Sequence, residues 1–254
     1  MNRIRYAAAL FILAAVPGAY LARAQQNAPQ QPQHRMTFFV TSVPIGNGGN
    51  LGGVAGADAH CQMLAEAVGA GKQTWHAYLS TQAKDGQPAI NARDRIGTGP
   101  WYNAKGDMIA HDLGDLHGDT IEQARLGSNL NKLTALTEKG EIVPGLDDNP
   151  DPKDRTWAYA STHPNSNRHE MLTGSQPDGR AYTDNVDHTC GNWTIGTGEI
   201  HAYYTGEPGA QIGFSDRNGG GNGNWNSSHP TMGCSQEALV RTHGVGQFYC
   251  FAPN

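Results

Sequence analysis

The sequence predicts an α+β fold: a loop-rich domain of short antiparallel strands and a few helices, closed by two disulfides. Three observations carry that prediction. Short runs rich in aromatic and β-branched residues are scattered between Thr37 and Phe251, with a clear helical period among them. Glycine accounts for 33 of 254 residues, roughly twice ordinary usage, and punctuates the stretches between those runs. Cys61, Cys190, Cys234 and Cys250 make an even set with neither C-x-x-C nor zinc-finger spacing.

Residues 1–24 read as a secretory signal peptide. Arg3 and Arg5 open it, Ala7 to Val16 is almost wholly apolar, and Ala22-Arg23-Ala24 is an A-x-A cleavage site. The apolar run is shorter than the ~20 residues of a membrane span, and Pro17-Gly18 interrupts it. Cleavage removes three arginines and no acid, which takes the net charge from −5 to −8. An exported protein with no membrane insertion after cleavage, periplasmic or secreted, is expected. Residues 25–35 are Gln/Pro-rich and read as a disordered linker, leaving 36–254 as the folded domain.

Thr37–Ser42 is the first β-type run. Ala55–Val68 has the helical period, with Asp58 as N-cap, Cys61, Leu64, Ala65 and Val68 on one face, and Gly69 and Gly71 as the stop. Trp75–Ser80 is a second β-type run, and Ile90–Ile96 starts another helix. Short strands are expected at Ile142-Val143, Trp157–Ala160, Thr189–Ile195, Ala202–Tyr204 and Gln211–Phe214, and an aromatic strand at Gln247–Phe251. Four cysteines allow three pairings. Cys61 lies on the first helix and Cys250 on the last strand, while Cys190 and Cys234 bracket the Gly/Asn-rich region. The nested pairing Cys61–Cys250 and Cys190–Cys234 is therefore expected, in an oxidising compartment.

The net charge and a pI near 6.1 exclude a nucleic-acid binder that works through a strong basic field. No G-x-S-x-G, P-loop or dinucleotide fingerprint is present, and disulfides occupy the cysteines, so nothing in the chain argues for an enzyme.

Cys61-Gln62, Trp75–Ser80, Gly174–Arg180, Cys190-Gly191-Asn192-Trp193-Thr194 and Phe248–Phe251, in this order, resemble the C-type lectin-like fold and, more closely, its endostatin-like branch. They also look like exported bacterial lectin-like domains. The resemblance implies a C-type-lectin-like domain and a recognition role, but such folds host many functions.

Gln176-Pro177-Asp178 has two readings. It is a β-turn with Pro and Gly in favoured places, or it matches the loop through which C-type lectins hold a sugar through calcium. In the second case Gln176, Asp178, Asp184, Asp187 and Asn226 would ligate calcium, although Ser227 stands where the family has an Asp. The Gly/Asn-rich loop offers a sugar site built from Asn222, Asn224, Trp225, Asn226 and Ser227. Trp225 either stacks on a pyranose or packs in the core. His111–Asp119 and Leu146–Asp154 are acid-rich; each reads as a polar turn or as a metal site without known ligand spacing. The expected function is non-catalytic recognition of a cell-surface or extracellular glycan. The alternative is an envelope protein-binding or structural module of the same fold. A metal-dependent hydrolase using His111–Asp119 comes third.

Overall fold

The computed structural model describes residues 34–145, 148, 163, 165–216 and 222–253, with residues 222 and 223 by backbone alone. The signal peptide, nearly all of the linker, the strand expected at Trp157–Ala160 and most of Leu146–Asp154 lie outside the described residues. So do residues 218–221 of the Gly/Asn-rich loop.

Strand β1 (Phe38–Val40) leads into helix α1 (Gly53–Ala67) and strand β2 (His76–Ala77). A small sheet of β3 (Trp101–Tyr102) and β4 (Met108–Ala110) precedes helices α2 (Leu113–His117) and α3 (Ile121–Leu126). Strand β5 (Glu170–Leu172) is followed by a helical turn, α4 (Cys190–Trp193), then β6 (Gln211–Phe214), β7 (His229–Pro230), helix α5 (Gln236–Thr242) and β8 (Gly244–Phe251). The main sheet has the order β1-β8-β5-β6-β7, with β2 also paired to β8. Helices and small, mostly antiparallel sheets thus mix as the sequence predicts, although β5 and β8 run parallel.

All eight residues of β8 are buried because the strand is covered on both faces. Phe248 and Cys250 belong to one core with Phe39, Leu64, Trp75 and Trp193. Tyr249 and Phe251 point the other way, into a second core with Phe38, Tyr78, Trp101 and Trp225. Successive side chains of a strand face opposite sides, so two cores require an unbroken apolar run, and Phe248–Phe251 is one. Both disulfides pair as expected: Cys61–Cys250 ties α1 to β8, and Cys190–Cys234 closes the inner loop.

Several local expectations change. The N-cap of α1 is Gly52 rather than Asp58. Asp58 instead accepts a hydrogen bond from the Ala77 amide at 2.8 Å and pairs with Arg95 at 2.6 Å, so it joins the helix to β2. Val68 is exposed. Ile90–Ile96 yields only a 3₁₀ turn, Ala92–Arg95, and Ile142 only an isolated bridge to Leu136. Ala202–Tyr204 is not a strand. Thr189–Ile195 is not one either: Cys190, Gly191, Asn192 and Trp193 all have positive φ. That left-handed turn lets Asn192 bond both the N–H and the C=O of Gln82 and aims the Trp193 indole N–H at Ser80 O, 2.8 Å away.

Candidate functional site

The Asn222–Trp225 turn lies directly against β6. A Cβ on Gly213 would stand 2.0 Å from the Trp225 carbonyl oxygen, so only glycine permits this approach. The turn drives Trp225 inward. Its ring is 0% exposed, 4.8 Å from that of Tyr78, and its indole N–H donates to Leu116 O at 3.1 Å. Trp225 is therefore a core residue, and the sugar-stacking role is corrected: no face of the ring is free. Asn224 is buried beside it. The Asn222 side chain lies outside the described residues.

Asn226 is also fully buried. Its Nδ2 donates to the Tyr78 hydroxyl at 2.8 Å and to the carbonyls of Gln176 and Pro177, while its Oδ1 has no hydrogen-bond partner. Tyr78 is 2.8 Å from His117 Nε2, and His117 Nδ1 donates to Leu113 O. Tyr78 must then be the donor in that pair, and Asn226 donates to it in turn. Burial pushes the Tyr78 hydroxyl up and the His117 imidazole down to about 4.

The Gln176–Gly179 turn closes over this chain. Gly179 N–H bonds Gln176 O at 2.9 Å, as a turn with Pro at its second position should. Gly179 has φ 80°, and a Cβ there would lie 2.4 Å from His117 Nε2. Arg93 straps the turn to the helices: it donates to Asp178 O at 2.7 Å and pairs with Asp119 at 2.7 Å.

The residues expected to ligate calcium are engaged as follows. Asp178 bonds the Arg180 amide and guanidinium, and these bonds hold its carboxyl below the usual range against the opposing effect of burial. Gln176 donates to Ala181 O, and Asp184 bonds His188 and the Val186 amide. Asp187 caps the Cys190 turn through the amides of Thr189 and Gly191. Gln176, Asp178, Asp184 and Asp187 thus have local partners while Asn226 Oδ1 has none, and Asp178, Asp184 and Asp187 share no three-ligand grouping among the described residues. In His111–Asp119, Asp112 caps α2, Asp115 accepts from the His111 amide, His117 is interior and Asp119 holds Arg93, so this segment is spent on structure.

A cleft of about 530 Å³ opens on this face between the loop after β5 and the loop before β6. Tyr182, His188, Tyr204, Gln211, Ser227 and Pro230 line it, with Asp187 and Glu207 at its edge. The Tyr182 ring stacks on the His188 imidazole at 3.8 Å between centroids. The Ser227 hydroxyl lies 3.3 Å from both the Tyr182 hydroxyl and Gln211 Nε2. Tyr204 projects from its loop at 75% exposure with φ 58°. His201 pins that loop, with Nε2 3.0 Å from Pro208 O and Nδ1 3.2 Å from the Thr205 hydroxyl.

Of the residues expected to bind a sugar, Ser227 reaches the cleft. Of the expected calcium ligands, Asp187 does. Sequence reading missed Tyr182, His188, Tyr204 and Gln211. Isolated aromatics in a Gly/Asn/Thr-rich loop are the signal that could have found the tyrosines. No protein-family model matches the chain, and no curated protein is significantly similar to it. No helix among the described residues is long and apolar enough to cross a membrane.

The buried imidazole makes stability depend on acid. His117 titrates near 6.5 when unfolded and about 4 when folded, so between those values the unfolded chain binds the extra proton. The contribution of His117 is fully present above pH 6.5 and is lost as pH falls toward 4, by roughly 3 kcal/mol in total. Urea midpoints measured from pH 7 to pH 4 will fall for the wild type. They will fall less for His117→Gln.

Proposed function

We propose that the protein is an exported, non-catalytic glycan-binding protein with a C-type-lectin-like domain of the endostatin-like type, and that the Tyr182–Tyr204 cleft holds the sugar. The observation that carries this reading is an exposed tyrosine beside a stacked Tyr–His pair, with hydroxyl, amide and carboxylate groups around them. A pyranose has an apolar face for an aromatic ring and a rim of hydroxyls for such polar groups. Tyr204 stacks on the sugar; Gln211, Ser227 and Glu207 hydrogen-bond it. The nested disulfides fit an oxidising compartment and hence export.

A glycan array followed by calorimetry on the best hit tests this. Tyr204→Ala will weaken binding at least tenfold without moving the melting temperature, because the side chain touches little of the protein. Chelator will leave binding unchanged, since Asp178, Asp184 and Asp187 form no three-ligand group. Failure of any glycan to bind, or full affinity in Tyr204→Ala, would overturn the assignment.

One observation favours the alternative, an envelope protein-binding module. Helix α3 buries no residue and exposes Ile121 (79%) and Leu126 (75%), with Leu133 also exposed. Capture of an envelope protein that is insensitive to sugar and abolished by Ile121→Glu would support that reading instead.

A further inference from the structure

We propose that His169, Glu170 and His243 bind a divalent first-row transition-metal ion, with zinc as the representative. The three side chains come from separate parts of the chain. His169 and Glu170 sit at the start of β5, and His243 is the left-handed residue that ends α5. The parallel register sets Glu170 opposite Gly244, which brings the α5 terminus against β5. One ligand atom from each side chain lies within 4.8 Å of the other two, and all three residues are buried. Ligand atoms around a tetrahedral zinc stand about 3.4 Å apart, given bonds of about 2.1 Å. Side-chain rotations of an ångström or so close the set.

The second observation is Glu170 itself. Its Oε2 is buried without a hydrogen-bond partner, which is costly for a carboxylate oxygen. Its Oε1 faces two imidazole nitrogens, His229 Nε2 at 3.4 Å and His169 Nε2 at 3.9 Å. Each imidazole has an acceptor for a proton on Nδ1. His169 Nδ1 is 2.9 Å from the Asp216 carboxylate, and His229 Nδ1 is 2.9 Å from Pro230 O. Their Nε2 atoms therefore face the Glu170 carboxyl, where either a proton or a metal cation can sit between nitrogen and oxygen. The His169–Asp216 bond is also the outer-shell contact that orients metal-binding histidines.

Imidazole nitrogen with one carboxylate suits zinc or iron(II) rather than calcium or magnesium. A cavity of about 380 Å³, lined also by Tyr203, Phe214 and His229, opens onto the cluster, so three protein ligands leave a position for His229 or water. The site stands independently of the glycan reading, although Tyr204 lines both cavities.

The purified oxidised protein, stripped with chelator, is titrated with zinc by calorimetry and with cobalt(II) by visible absorption. The expected results are one equivalent bound at micromolar affinity or tighter, a low-coordinate cobalt spectrum, and ring-proton NMR shifts at His169 and His243. Glu170→Gln keeps the shape, and His243→Asn keeps a residue tolerant of left-handed backbone. Each will weaken zinc at least tenfold. If a variant does not fold, the cobalt spectrum and histidine shifts of the wild type decide. Absence of wild-type binding, or unchanged affinity in both folded variants, would overturn the proposal. So would shifts confined to other histidines.

Discussion

Replacing Cys61 and Cys250 together with alanine will lower the unfolding free energy by about 5 kcal/mol. The bridge spans 189 residues, and in the chain-entropy account the stabilisation grows with the logarithm of the loop it closes. Removing Cys190–Cys234, which spans 44, will cost about 4 kcal/mol on the same argument. Domains of this size are stable by only about 5–15 kcal/mol, so the first variant will lose at least about a third of its stability. Both sulfurs of the outer bridge lie in the core that holds Phe39, Trp75 and Phe248, so the loss includes packing as well as chain entropy. Denaturant unfolding of the two double variants beside the wild type measures both numbers. An outer-bridge variant as stable as the wild type would show that the two-sided sheet needs no covalent closure.

Trp225→Ala will destabilise the protein by about 3–5 kcal/mol, the usual range for emptying a buried aromatic site. The ring packs against Tyr78, His117 and Tyr249, and its indole N–H satisfies Leu116 O. The variant leaves that carbonyl unpaired in addition to the cavity. The experiment separates the two roles the sequence allowed for this residue. If Trp225 were a sugar platform, the variant would fold normally and lose binding. As a core residue it will lose stability, and the fraction that remains folded will bind as the wild type does.

That ambiguity shows what the sequence encodes and what it hides. Phe248–Phe251, the face of α1 that carries Cys61, and the nested disulfides were legible because each follows from local spacing: an apolar run, a helical period, an even cysteine count. Trp225 was not legible, because its burial depends on Gly213, twelve residues earlier, letting the turn approach β6. Asp58 had the composition of a cap but serves a tertiary contact with Ala77 and Arg95. Gln176–Gly179 was readable as a turn, yet its role as a cover for Tyr78 and His117 is a long-range fact. The grouping of the cleft residues and of His169, Glu170 and His243 was hidden for a related reason. Each group is completed from tens of residues away, by Ser227 for the cleft and His243 for the cluster, and single aromatic or imidazole side chains in polar surroundings carry no period.

The position of β8 has a consequence for the order of events in synthesis. This strand pairs with β1, β2 and β5, yet it follows all three along the chain. A nascent chain on the ribosome has three waiting edges and no partner for them until Phe251 has emerged. Native pairing therefore waits for β8 and joins residues far apart along the chain, the circumstance in which folding is slow. Chains that stop before β8 will leave those edges open to other chains, and early termination will yield aggregates rather than smaller folded domains.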